Sequence, residues 1–239
     1  MLYNKKTITV ILFCVLVGYL VRITYLMKYP VPVRDSYTYQ EQIERWDFSS
    51  KTETTKVVPP LSLFLFKLTS QILNIKIIKA AKLFNIEAGL FIIILMMIIA
   101  FKISSSLICT FICGLIAATH PILVELSCQM LRENTYLMFT CLAILSIMGY
   151  LKHVGITTLI LTSICVTLSF FCKYEGIENI IISFLAVLMF PRKVKRKTKM
   201  IHSLIFIATC MISSFIITFV INVPINYYML YKEVILNKL

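Results

Sequence analysis

Charge is scarce in this chain. Of 239 residues only 15% are charged, against about 25% in typical soluble domains, and acidic residues number 11. With 59% hydrophobic residues and a mean hydropathy of +0.88, a water-soluble globular domain is excluded. Glycine is equally sparse: the six present form neither a Gly-rich phosphate loop nor a GxxxG pair, which removes nucleotide-binding loops from consideration. The three histidines and eight cysteines show no CxxC or Cys/His ligand spacing. Zinc chemistry, a His-based triad and a disulfide framework therefore have no basis here, and the cysteines read as apolar helix residues.

What the sequence has instead is length in its apolar runs. Runs of about 20 residues, each enough to cross a bilayer as a helix, repeat along the chain. They predict seven spans, at 7–28, 80–101, 104–120, 133–151, 156–172, 176–191 and 201–222, in one transmembrane domain covering 1–239. The first run follows Lys5 and Lys6 and is too long for a signal-peptide core, so it is expected to stay as a signal anchor. With the N-terminus cytoplasmic, Lys5, Lys6, Lys102, Lys152, His153 and the basic loop 192–199 all fall on the cytoplasmic side, as the positive-inside rule requires. The net charge of +13 is thereby explained by topology, without a nucleic-acid partner. The outer side receives the loop 30–79, the stretch His120–Tyr136, the turn CKYEG (Cys172–Gly176) and most of the carboxylates.

Two outer segments are more than connectors. From Ser36 to Asp47, Tyr39, Ile43 and Trp46 recur at i, i+4 and i+7, predicting a short amphipathic helix in the interface. PPLSLFLFKLTSQIL (Pro59–Leu73) opens with a proline pair suited to a helix start and is short for a span. It is expected to be a second interfacial or re-entrant helix.

Several charged residues are candidates for chemistry. Asp35 stands between Arg34 and Ser36, where it suits a helix N-cap and, because it stays ionised and fixed, a general base. Glu125, Gln129 and Arg132 fall at i, i+4 and i+7, which predicts a polar stripe on one helix, either solvated or walling a cavity. Arg132 and Glu133 at the mouth of the fourth span suit a phosphate and a sugar hydroxyl. Lys173, Glu175 and Glu178 crowd one tight turn, where snorkelling and a helix start also account for them. Arg22, deep in the first span, either snorkels outward or faces a polar cavity.

In order along the chain, these pieces resemble the N-terminal half of GT-C-type membrane glycosyltransferases, the group containing protein O-mannosyltransferases and bacterial aminoarabinose transferases. The likeness is carried by RDSYTY in the first outer loop and the VPPLSLFLFKL helix start. It continues through KAAKLFNIEAGL with Lys82, Asn85 and Gly89, the Arg132–Glu133 pair before an aromatic-rich span, and the basic-aromatic-Glu-Gly turn of FCKYEGIENI. It covers about Leu12–Pro191. The resemblance implies a polyprenyl-phosphate sugar donor, a lipid, glycan or protein acceptor, and a catalytic carboxylate in the first loop, which carries over onto Asp35. The plasma membrane is the expected location, and Arg22, Arg34, Glu125, Arg132, Glu133, Lys173 and Glu175 are the substrate-binding candidates among the charged residues. The abundant oxygen ligands would allow a divalent metal, but the first loop has no DxD-like pair, so no metal or other cofactor is favoured. Two departures stand out: Val58 occupies the position before the proline pair that is often His, and such enzymes are usually about twice this length. The rival expectations are a transporter or flippase for a lipid-linked anion, and a truncated inactive relative or partner subunit.

Overall fold

The computed structural model describes residues 5–29, 31–45, 58–189 and 195–221. Among them all regular structure is helical: α1 (Lys5–Lys28), α2 (Arg34–Arg45), α3 (Pro60–Leu73), α4 (Ile77–Ser104), α5 (Leu107–Thr119), α6 (Pro121–Cys128), α7 (Glu133–His153), α8 (Ile156–Cys172), a 3₁₀ turn (Tyr174–Gly176), α9 (Ile177–Met189) and α10 (Arg196–Ile221). Trp46, Asp47, Arg192 and the segment following α10 lie outside the described residues.

The breaks between helices have local causes. Asn74, Ser105 and Val154 each take a left-handed conformation after α3, α4 and α7, and each amide closes the last turn by donating to the carbonyl four residues back. Ser106 then caps α5, its hydroxyl accepting from the Cys109 amide. Pro121 stands at the first turn of α6. Having no N–H, it cannot continue α5, and the two helices meet at a 53° bend.

Reversals at these breaks give the bundle two ends. One, the acid-bearing end, gathers the last turns of α1, α8 and α10 and the first turns of α4 and α7. There Leu61 of α3 packs with Phe171, Cys172 and Ile221. The other, the basic end, carries Lys5, Lys102, Lys152, His153 and Arg196. Between them Cys14, Ile93, Met97 and Ala118 join α1, α4 and α5. Ala143, Leu159, Val166, Val187 and Phe206 join α7, α8, α9 and α10.

Four helices (α1, α4, α7, α10) are long and apolar enough to cross a membrane, and the bent α5–α6 pair makes five. The seven expected spans are thus reached only in part. α8 is an apolar helix of 17 residues, matching its expected bounds, and the described part of α9 has 13. The outward surface is apolar: Phe219 on α10 is 78% exposed and Ile108 on α5 is 72% exposed. Large apolar side chains at that exposure need a nonaqueous neighbour, which several membrane-crossing helices would have.

The two expected interfacial helices are present, but protein covers them. Tyr39 and Ile43 of α2 are buried with Leu63 and Phe66 of α3, Ala81 of α4 and Met130. α3 is apolar nearly all round because it is packed on two sides, by that cluster and by the one holding Phe171 and Ile221.

Candidate active site at the acid-bearing end

The site is held by a stretch that sequence periodicity misreads. Glu125, Gln129 and Arg132 do not form a stripe: α6 stops at Cys128, and Gln129 is extended (φ −114°, ψ 160°). The cause is tertiary. Asn85 of α4 is fully buried, and its Nδ2 donates to the carbonyls of Gln129 (2.7 Å) and Leu131 (2.8 Å). Asn134 Nδ2 donates in turn to the Asn85 carbonyl at 2.6 Å. A helix through 129–132 would use those carbonyls itself; the asparagine supplies the alternative partner. Gly89, one turn further along α4, permits the approach, since a Cβ there would collide with Ser127 Oγ.

The same extended stretch fixes α2. The Val33 amide donates to Gln129 Oε1 (3.3 Å), and the buried Ser36 hydroxyl donates to the Met130 carbonyl (3.4 Å). Asp35 is therefore the second residue of α2, not its N-cap, because the helix begins at Arg34. No described residue hydrogen-bonds its carboxylate, and both Arg34 and Asp35 are exposed.

Tyr39, one turn on, is the meeting point. Burial pushes its hydroxyl up to about 12; Arg132 opposes this, while Glu133 and Asp35 add to it. Sequence reasoning assigned Tyr39 only to an apolar face. A buried phenol acted on by the distant Arg132–Glu133 pair as well as by Asp35 of its own helix has no signature in spacing.

Glu133 leads on to the α8–α9 turn. Lys173 Nζ lies 3.7 Å from Glu133 Oε1 and 3.6 Å from Glu175 Oε1. Pairs this exposed contribute little stability, but they place one ammonium between two carboxylates. Gly176 is what lets the turn close: a Cβ there would meet the Phe170 amide nitrogen at 2.5 Å. Glu178 is exposed in the first turn of α9.

Unpartnered atoms concentrate here. Arg132 Nε, Glu133 Oε2, Asn134 Oδ1 and Thr135 Oγ1 are all buried without a hydrogen-bond partner among the described residues. Each such atom costs about 1–3 kcal/mol, a cost that a ligand bringing hydroxyls or a phosphate would recover.

Two predicted residues stand apart. Glu125 is exposed on α6, within electrostatic reach of Tyr25 on α1. Arg22 neither snorkels nor faces an open cavity. It is 1% exposed, and Nη1 donates to the carbonyls of Gly18 (3.0 Å) and Ala118 (3.4 Å). Ala118 is in the last turn of α5, whose carbonyls lose their helical partners at the bend, so Arg22 serves that negative helix end. Among the described residues no three His, Cys, Asp or Glu side chains come together as metal ligands.

Compared with known proteins, the chain matches no family model, no curated protein and no solved structure.

Proposed function

We propose that this protein is a seven-span membrane glycosyltransferase of the GT-C type. Its N-terminus is cytoplasmic, and it transfers a sugar from a polyprenyl-phosphate donor to an acceptor hydroxyl at the outer surface of the plasma membrane. Asp35 takes the proton of the acceptor hydroxyl as its oxygen bonds to the anomeric carbon. The bond from that carbon to the phosphate oxygen breaks, and polyprenyl phosphate leaves with the electron pair. Arg132 stabilises the charge growing on the phosphate, and Glu133 accepts from a sugar hydroxyl. Lys173, steadied by Glu133 and Glu175, adds positive charge beside them. Arg22 has a different part: it holds the α5–α6 bend.

The observation that carries the reading is the seam between α2 and the stretch leading to Arg132 and Glu133, where the Val33 amide and the Ser36 hydroxyl donate to Gln129 and Met130 and the charges of Asp35, Arg132 and Glu133 act on the buried Tyr39. Residues far apart in sequence, each suited to one part of glycosyl transfer, thereby share one end of the bundle. The test is the purified full chain in proteoliposomes supplied with defined polyprenyl-phosphate sugars and an acceptor. Protein-dependent transfer of the sugar supports the proposal. Passage of the donor across the bilayer without transfer would replace it with a transporter.

A further inference from the structure

At the basic end, Lys102 of α4 and Lys152 and His153 of α7 converge with Met148 and Gly149 on a pocket of about 280 Å³. All three basic side chains are exposed. No carboxylate of this chain is near enough to answer them on their own helices. Glu87 is 15 residues before Lys102, about 22 Å of helix, and Glu133 is 19 residues before Lys152, about 28 Å. The other described acids (Asp35, Glu41, Glu44, Glu125, Glu175, Glu178) belong to elements of the acid-bearing end. The C-termini of α4 and α7 each contribute about half a negative charge, too little to balance two ammonium groups. Lys195, Arg196, Lys197 and Lys199 at the start of α10 add further positive charge to this end.

The pocket is also amphipathic. Met148 is half-buried in its wall. One turn deeper along α7, Ile144 is 43% exposed, and Ile103 beside Lys102 is 72% exposed. A soluble anion has no use for that apolar margin; an acyl chain does. We propose that this pocket binds the phosphodiester head group of an anionic phospholipid, with Lys102 and Lys152 on the phosphate and an acyl chain along Ile144. Basic pockets between membrane helices recognise lipid head groups by this chemistry. The proposal is independent of the transferase reading.

The test is lipid retention by the purified full chain, measured by native mass spectrometry after exchange into phosphatidylglycerol or phosphatidylcholine. The wild type should retain phosphatidylglycerol at least tenfold better than phosphatidylcholine, and millimolar glycerol 3-phosphate should not displace it. Lys102→Gln with Lys152→Gln should weaken retention about 30-fold, from about fivefold per lysine. Lys195→Gln with Lys197→Gln removes the same charge from the same end and should leave retention within about threefold. Should the first double variant fail to fold, each single substitution is expected to show about a fivefold loss. Equal losses in the two double variants would show diffuse attraction and overturn the site. Equal retention of the two lipids would also overturn it, as would displacement by glycerol 3-phosphate, which would mark a soluble-anion site.

Discussion

The two ends of this bundle hold their charge in different ways. At the basic end, Lys102, Lys152, His153 and the start of α10 carry one sign only, on the last or first turns of helices, facing outward. At the acid-bearing end both signs are interleaved. Lys173 sits between Glu133 and Glu175, and the charges of Arg132, Glu133 and Asp35 all act on one buried phenol. Like charge gathered at helix ends is sufficient to orient a membrane protein. Interleaved charge, with buried polar atoms left unpartnered, costs stability and is worth keeping only where something binds. On the proposed reading, one end is suited to fixing orientation and the other is where the chemistry is placed.

Substitutions can break that contrast, and the largest effect is expected at Arg132. Arg132→Gln should lower the sugar-transfer rate about 100- to 1,000-fold, the usual cost of removing a group that stabilises developing charge, while circular dichroism and detergent elution stay unchanged. Asn85→Ala should act on the frame instead. It frees the carbonyls of Gln129 and Leu131, and at about 1–3 kcal/mol for each unsatisfied group it should lower unfolding stability by about 2–6 kcal/mol and release α2 with it. Limited proteolysis after Arg34 would report that release.

Tyr39→Phe is a finer probe. A phenol raised to about 12 from an ordinary value of about 10 keeps its proton in the fold. The stability tied to it is complete below about pH 10 and is lost as pH rises toward about 12. Replacing it with Phe should remove that alkaline loss from a thermal-melt series and change transfer by no more than about tenfold. The smallest effect belongs to Glu125→Gln. The broken stripe places it away from the Arg132 cluster, so transfer should stay within about twofold of the wild type. A loss as large as that of Arg132→Gln would restore the continuous polar wall.

Much of the frame was legible in the apolar runs. Uninterrupted hydrophobic stretches ending at Lys or at turn residues located α8 to the residue, and α7 to within two at its C-terminal end. The candidate site was legible as types of residue and less so as geometry. Asp35, Arg132, Glu133, Lys173 and Glu175 were singled out because charge at a membrane edge is costly. The 125–132 stretch was misread because its i, i+4, i+7 pattern is a good helical one. What overrides it is the Asn85 side chain, distant in sequence, and a local pattern cannot contain such a partner. Arg22 shows the converse. Its cost was visible, but the Ala118 carbonyl that receives it is free to do so where Pro121 bends α6 away from α5.

The central claim is that Asp35 works as a base at the acid-bearing end, and Asp35→Asn tests it most directly. The change keeps size and hydrogen-bonding capacity, and Asp35 makes no hydrogen bond with a described residue whose loss would disturb the fold. Initial rates of sugar transfer should be measured for the variant and the wild type in the same lipid, normalised to folded, inserted protein. A loss of about 100- to 10,000-fold at unchanged folded fraction is predicted. A variant that transfers sugar at the wild-type rate would contradict the account.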